Sequence, residues 1–194
     1  GFDPNQLTPP VLFTFAGTGN PLACGGCSPP DTVGDVGPTH YMQMVNATKL
    51  AAFNKVGTLV GGPIDLSSLW SSGDCAADAG DPVVSYDPLA DRWVLAQFNG
   101  ADTLCFAVSQ TANPLGTYWI YDFQTTDFPD YFKIGVWPDG YYVSTNEANY
   151  NAWAFDRVKM LQGLVAGSIK ATGFAANFLM PADVDGIVAP PPGA

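Results

Sequence analysis

Acidic side chains are the first candidates for chemistry in this chain. Seventeen Asp stand against one Glu, Glu147. Two Asp groups sit in Gly-containing stretches: Asp74, Asp78 and Asp81 within residues 74–81, and Asp183 and Asp185 within residues 181–186. Calcium takes several oxygen ligands from flexible loops, so Ca2+ is the ion such turns would hold. Neither stretch has EF-hand spacing, because no Glu follows at the required distance. The competing reading is that Asp builds turns at strand ends by bonding its own backbone. Glycoside cleavage needs two carboxylates several ångströms apart, and seventeen Asp do not single out a pair. Glu147 is the one acid of its type and sits at a predicted strand end, as a candidate catalytic acid or as an ordinary loop residue. His40 follows Gly37-Pro38-Thr39. Without a Gly-x-Ser-x-Gly elbow it reads as a strand-end histidine with a local hydrogen bond, not as a hydrolase base. Gly17-Thr18-Gly19-Asn20 lacks the Lys and the spacing of a phosphate loop. Asn46-Ala47-Thr48 matches an N-glycosylation sequon in a predicted turn.

Four cysteines allow three pairings. Cys24 and Cys27 suit a local disulfide across a tight turn; Cys75 and Cys105 flank a predicted strand pair and suit a bridge across it. A zinc site is the rival reading of Cys-x-x-Cys, but its second half is missing. A redox motif would open a helix, and Ser28-Pro29-Pro30 follows instead. Two structural disulfides place the protein outside the cell or at its surface. Trp70, Trp93, Trp119, Trp137 and Trp153, with eight Tyr, offer a carbohydrate platform, although Trp and Tyr more often fill β cores.

The composition limits what can position these groups. Charged residues are 13% of the 194-residue chain, aromatics 13% and hydrophobic residues 47%, with 21 Gly and 17 Pro. Asp and Gly favour turns over helices, and the apolar content supports a core. A net charge of -11 argues against nucleic-acid binding, which needs a basic footprint. No apolar run approaches the roughly 20 residues of a membrane span. The start at Gly1-Phe2-Asp3-Pro4 reads as that of a processed mature chain.

Self-similarity supplies the architecture. Residues 37–46 with 50–54, 87–98 with 104–109, and 137–146 with 152–156 share one outline: a Gly/Pro/Asp turn, an aromatic-rich strand, then a second strand. Tyr41, Trp93 and Tyr142 mark the repeat, about fifty residues apart. Outer strands are expected at 82–86, 117–123 and 133–137. Four short strands in fifty residues describe a propeller blade. The alternative is a β-sandwich, which does not require the fifty-residue echo. The predicted fold is therefore all-β, a β-propeller of four-stranded blades. Residues 1–36 hold an N-terminal strand (11–16) and the disulfide loop, and residues 37–194 hold about three blades of an incomplete propeller. A helix is expected over 156–164 with Asp156 as its cap, and a capped turn over 65–70.

Residues 30–41, 81–93 and 128–139 resemble a family of secreted bacterial proteins with kelch-like or sialidase-like propeller domains. The resemblance implies a secreted propeller with further blades from a longer chain or another subunit. It implies no catalytic residues for this chain. A sialidase would need three Arg, and only Arg92 and Arg157 exist. The expected function is an extracellular, non-enzymatic propeller for adhesion, ligand binding or structural assembly. Its partners would be a glycan or further copies in a homo-oligomer or filament. The alternative is a carbohydrate-active hydrolase or lyase with its site in the propeller funnel.

Overall fold

The computed structural model describes residues 11, 13–19, 26–175 and 178–193. Cys24, and with it the expected Cys24–Cys27 bridge, lies outside the described residues.

Among the described residues twelve strands form three antiparallel sheets, each a meander of four consecutive strands. Sheet 1 holds β1 (Val33–Val36), β2 (His40–Val45), β3 (Lys49–Asn54) and β4 (Leu59–Asp65). Sheet 2 holds β5 (Val83–Asp87), β6 (Arg92–Phe98), β7 (Thr103–Ser109) and β8 (Tyr118–Gln124). Sheet 3 holds β9 (Asp130–Trp137), β10 (Gly140–Asn146), β11 (Tyr150–Phe155) and β12 (Ser168–Ala171). The six central strands fall where the repeat places them. β1, β4 and β12 carry weaker patterns and were not expected. The first sheet begins before residue 37, since β1 pairs with β2.

Turn chemistry sets the meanders. Asn54 accepts the amides of Val56 (3.0 Å) and Thr58 (2.9 Å) between β3 and β4. Asp87 accepts those of Leu89 (3.1 Å) and Ala90 (3.0 Å) between β5 and β6. Asn99 accepts those of Ala101 (2.9 Å) and Thr103 (3.1 Å) between β6 and β7. A short polar side chain thus satisfies amides that a tight turn would leave unpaired.

The repeat is sharpest in the first strand of each sheet. Val36 pairs with Tyr41, Tyr86 with Trp93, and Val136 with Tyr141, so Tyr141 rather than Tyr142 is the third equivalent. Five residues upstream of each first-strand position the chain turns left-handed: Asp31 (φ 37°), Asp81 (φ 45°) and Tyr131 (φ 50°). Non-glycine residues rarely adopt that conformation, so its recurrence every fifty residues marks one supersecondary unit used three times.

The sheets stack face to face in chain order. Met42, Met44, Leu50 and Ala52 of sheet 1 meet Val84, Trp93, Leu95, Cys105 and Ala107 of sheet 2. The other face of sheet 2, with Val94, Phe98, Leu104 and Phe106, meets Phe132, Tyr141, Val143 and Phe155 of sheet 3. Complete burial of a side chain such as Phe106 contributes about 2–3 kcal/mol. The first strands lie side by side, β1 against β5 and β5 against β9. Cys75, in the 3-10 turn Asp74–Ala76, is bonded to Cys105 of β7 across 30 residues. Closing that loop stabilises the fold by about 3–4 kcal/mol on the chain-entropy account.

Three expectations need correction. Among the described residues, 11 and 13–16 form no strand. Phe15 instead lays its ring on Phe53 (5.2 Å) and Tyr41 (5.8 Å), and Thr18 N donates to Gln43 (2.6 Å), so the segment covers a sheet face rather than an edge. The helix over 156–164 is only α1, Arg157–Met160; Asp156 caps it, accepting from Lys159 N (3.1 Å). It stops because Gly163 turns left-handed (φ 69°) and Leu164 and Val165 find no core. The turn near residue 65 is a 3-10 turn, Leu66–Leu69, but Asp65 pairs with Lys49, and Asp78 caps Ser67 N (3.0 Å) in its place.

Candidate functional site

First strands that run side by side bring their acids together at both ends. At one end Asp35 bridges two sheets: it accepts Val36 N (2.6 Å) of its own strand and Tyr86 N (2.7 Å) of β5. Residues 183–186 join from the C-terminal side. Asp183 accepts Val136 N (2.7 Å) of β9, and Val184 N donates to Val136 O (3.1 Å). A cavity of about 270 Å³ lies among Asp35, Tyr86, Pro88, Asp183 and Asp185. Burial, with the charges of Asp185 and Asp35, holds the Asp183 carboxyl above the usual carboxylate range, against the pull of the Val136 and Val184 amides. The cavity can attract cations and hydrogen-bond donors. Its Asp35 and Asp183 oxygens already accept backbone amides and hold the strands together.

At the opposite end Asp31, Asp81, Asp130 and Lys133 face one another. Burial raises the Asp81 carboxyl, and the charges of Asp31 and Asp130 add to this, offset by Lys133. Burial also lowers the Lys133 ammonium, while the three carboxylates act to keep it charged. Lys133 sits 3.9 Å from the Tyr131 ring centre and donates to Phe132 O (3.1 Å). Asn46 ties the group together. Its Nδ2 donates to Asp31 (2.8 Å) and Pro29 O (3.2 Å), and its Oδ1 accepts Asp81 N (3.3 Å). The sequon amide is thus bonded within the fold, and Thr48 is wholly buried, donating to Asp78.

The Asp residues singled out for calcium are dispersed. Asp74 is exposed in its 3-10 turn, Asp78 accepts from Thr48 and from Ser67 N and Oγ, and Asp81 belongs to the strand-start group. Asp183 and Asp185 share the cavity with Asp35. Among the described residues no three His, Cys, Asp or Glu side chains are gathered to hold a metal ion.

Glu147 is buried and accepts from Thr145 Oγ1 (2.7 Å), Trp153 Nε1 (2.9 Å), Thr126 N (3.0 Å) and Lys170 Nζ (3.1 Å). Burial alone would raise its carboxyl; the four donors outweigh that and lower it. The arrangement is that of an anchored carboxylate. His40 begins β2 with its Nδ1 2.8 Å from Thr39 Oγ1. The two Arg are apart in role. Arg92 bonds Ala90 O and Asp91 O, while Arg157 grips the fully buried Asp87 through Nε (2.7 Å) and Nη2 (2.9 Å). Tyr141 OH adds a third bond to Asp87 (3.0 Å) and links sheet 2 to sheet 3. Burial opposes the guanidinium charge, but Asp87 more than restores it. Of the tryptophans, Trp70, Trp93 and Trp153 are buried and Trp119 is 36% exposed. Trp137 lines a second cavity, on the outer face of sheet 3.

Sequence reasoning missed Asp31, Asp35, Asp87 and Asp130. The repeat held the signal for two of the strand-start acids, since Asp31 and Asp81 stand fifty residues apart at the same left-handed position. The comparisons with family models, curated proteins and solved structures found no match.

Proposed function

We propose that the chain is a sector of a β-propeller that serves outside the cell as a non-enzymatic module for adhesion, ligand binding or assembly. The observation that carries this reading is the fifty-residue recurrence of a four-stranded meander whose first strands lie side by side, β1 against β5 and β5 against β9. Propellers place the first strand of each blade at the axis and fan the fourth strands outward. A sandwich keeps its sheets about 10 Å apart along their whole width. The disulfide, and the lack among the described residues of a helix long and apolar enough to cross a membrane, accord with an extracellular place. The resemblance to secreted bacterial propellers rests on the three quoted segments and is part of this proposal. A binding role is preferred because Asp35 and Asp183 already accept backbone amides. Asp183, with its raised carboxyl beside Asp35 and Asp185, is what favours the second reading, a carbohydrate-active hydrolase or lyase.

Spin-label distances test the architecture. Labels on β1, β5 and β9 should be closer pairwise than labels on β4, β8 and β12; equal spacings would establish a sandwich. A glycan array with a polysaccharide turnover screen tests the role. Binding without product supports the module, whereas turnover abolished by Asp183→Asn would replace it with the enzyme.

A further inference from the structure

The face of sheet 3 that points away from sheet 2 carries a built cavity. Tyr142 pairs with Gly135 and Ser144 with Ala152, so these side chains share one side of the sheet. Trp137 lies two residues beyond Gly135 and falls on that side too. With Phe174 and residues 179–182 they bound a space of about 560 Å³. Small molecules occupy clefts of about 300–1,000 Å³ lined mainly by rings and aliphatic carbons, with a few placed polar groups. One wall is bonded in place. Ser144 Oγ donates to Leu179 O (2.5 Å), Val136 N donates to Asp183 Oδ1 (2.7 Å), and Val184 N donates to Val136 O (3.1 Å). Gly135 lets this wall approach the sheet, because a Cβ there would collide with Ala182 O and Pro181. Walls fixed in advance reduce the ordering cost of binding.

The lining also holds a carboxylate. Asp139, in the turn from β9 to β10, accepts Tyr142 OH (3.2 Å) at the exposed rim. Burial and the charge of Asp139 raise the Tyr142 phenol, so its hydroxyl remains the donor. Among the described residues no Lys or Arg pairs with Asp139. Arg157 reaches Pro138 O (3.1 Å) but is gripped by Asp87, and Lys133, farther along β9, faces Asp31, Asp81 and Asp130. An apolar cavity thus carries an uncompensated negative charge at its mouth. We infer that it binds a small organic cation, a protonated amine on an apolar body, with the ammonium at Asp139 and the body against Trp137 and Ala152. An N–H to carboxylate bond is charge-assisted, and ring faces attract ammonium groups. An anion would meet Asp139 and a net charge of -11. A sugar would turn many of its hydroxyls toward walls that cannot bond them. Such a site extends the ligand-binding role proposed above and does not depend on how the sheets are closed.

The test titrates the chain with phenethylamine, phenethyl alcohol and phenylacetate at physiological ionic strength, read by backbone amide chemical shifts. The amine should move the amides of Trp137 and Tyr142 and bind roughly tenfold more tightly than the alcohol, with the acid weaker still. Asp139→Asn should remove that preference and leave the alcohol's affinity as it was. Asp74→Asn, which neutralises an exposed acid elsewhere, should leave all three affinities unchanged and so excludes attraction by net charge alone. No binding, equal binding of the three compounds, shifts confined to other surfaces, or a preference that survives Asp139→Asn would each overturn the assignment. Tighter binding of cellobiose than of the amine at the same amides would give the cavity to a glycan instead. The two proposals fail separately. A positive glycan array without amine binding keeps the binding module and sinks this site, whereas turnover lost in Asp183→Asn with amine binding intact sinks the module and keeps the site.

Discussion

Sheets 2 and 3 share strand order and antiparallel pairing, yet they meet their surroundings differently. In β7 every residue is buried, and in β6 all but Arg92 are, because apolar side chains leave both faces and each face has a neighbouring sheet. In β11 burial alternates: Asn151, Trp153 and Phe155 are buried, while Tyr150, Ala152 and Ala154 are half-covered. One face of sheet 3 meets sheet 2; the other carries Trp137, Tyr142, Ser144 and Ala152 beneath residues 179–182. The period of burial therefore reports how many faces a sheet has covered. A buried ion pair ties Asp87 of sheet 2 to Arg157 of α1, which follows β11 of sheet 3.

The largest expected effects come from breaking this contrast directly. Phe106→Ala, in the doubly covered sheet, should lower unfolding free energy by about 3–5 kcal/mol, whereas Tyr142→Ala on the open face should cost about 1 kcal/mol. Urea denaturation of the 194-residue chain measures both, and equal losses would mean that the two faces are covered alike.

Next in size are the charges. Arg157→Met leaves Asp87 buried without its cation and should cost about 3 kcal/mol or more. Lys170→Met leaves Glu147 three donors and should cost about 1 kcal/mol. A reversed order in thermal melts would show that the clamp between sheets matters less than the anchor within sheet 3.

The smallest effects are in pH dependence, and the signs differ. The Glu147 carboxyl is lowered by folding, so its contribution is complete above the ordinary glutamate range and is lost as pH falls through its folded value. Glu147→Gln should flatten the acid limb of a stability profile. The Asp81 carboxyl is raised, so its contribution is present below the ordinary aspartate range and is lost as pH rises through its folded value. Asp81→Asn should therefore stabilise the protein at neutral pH, by less than about 1 kcal/mol given partial exposure, and the gain should vanish in acid. A gain that persists at low pH would remove charge repulsion as its cause.

Much of this was readable before folding. The central strands of each sheet announced themselves because aromatic and β-branched runs lie between Gly, Pro and Asp turns. The bridge between Cys75 and Cys105 was one of the expected pairings. β4 escaped notice because Gly61-Gly62-Pro63 interrupts it, and β12 because four residues leave little pattern. The strand expected near the N-terminus failed for a different reason: Phe13 and Phe15 suit a strand, but the Phe15 ring meets a sheet face and Phe13 stacks on Phe15. The acids were visible one by one, but nothing in their spacing showed that Asp35 would hold an amide of another sheet, or that Glu147 would draw four donors.

The sequence by itself determined the all-β class, the fifty-residue unit and its turn chemistry. These are local properties: side-chain alternation, left-handed positions and Asx-type bonding act over a few residues. Only the tertiary structure decided which acids share a space, which arginine pairs with Asp87 and which sheet keeps an open face. Those outcomes depend on groups far apart in the chain meeting, 51 residues for Asp35 with Tyr86 and 70 for Asp87 with Arg157, and no short-range pattern encodes that approach.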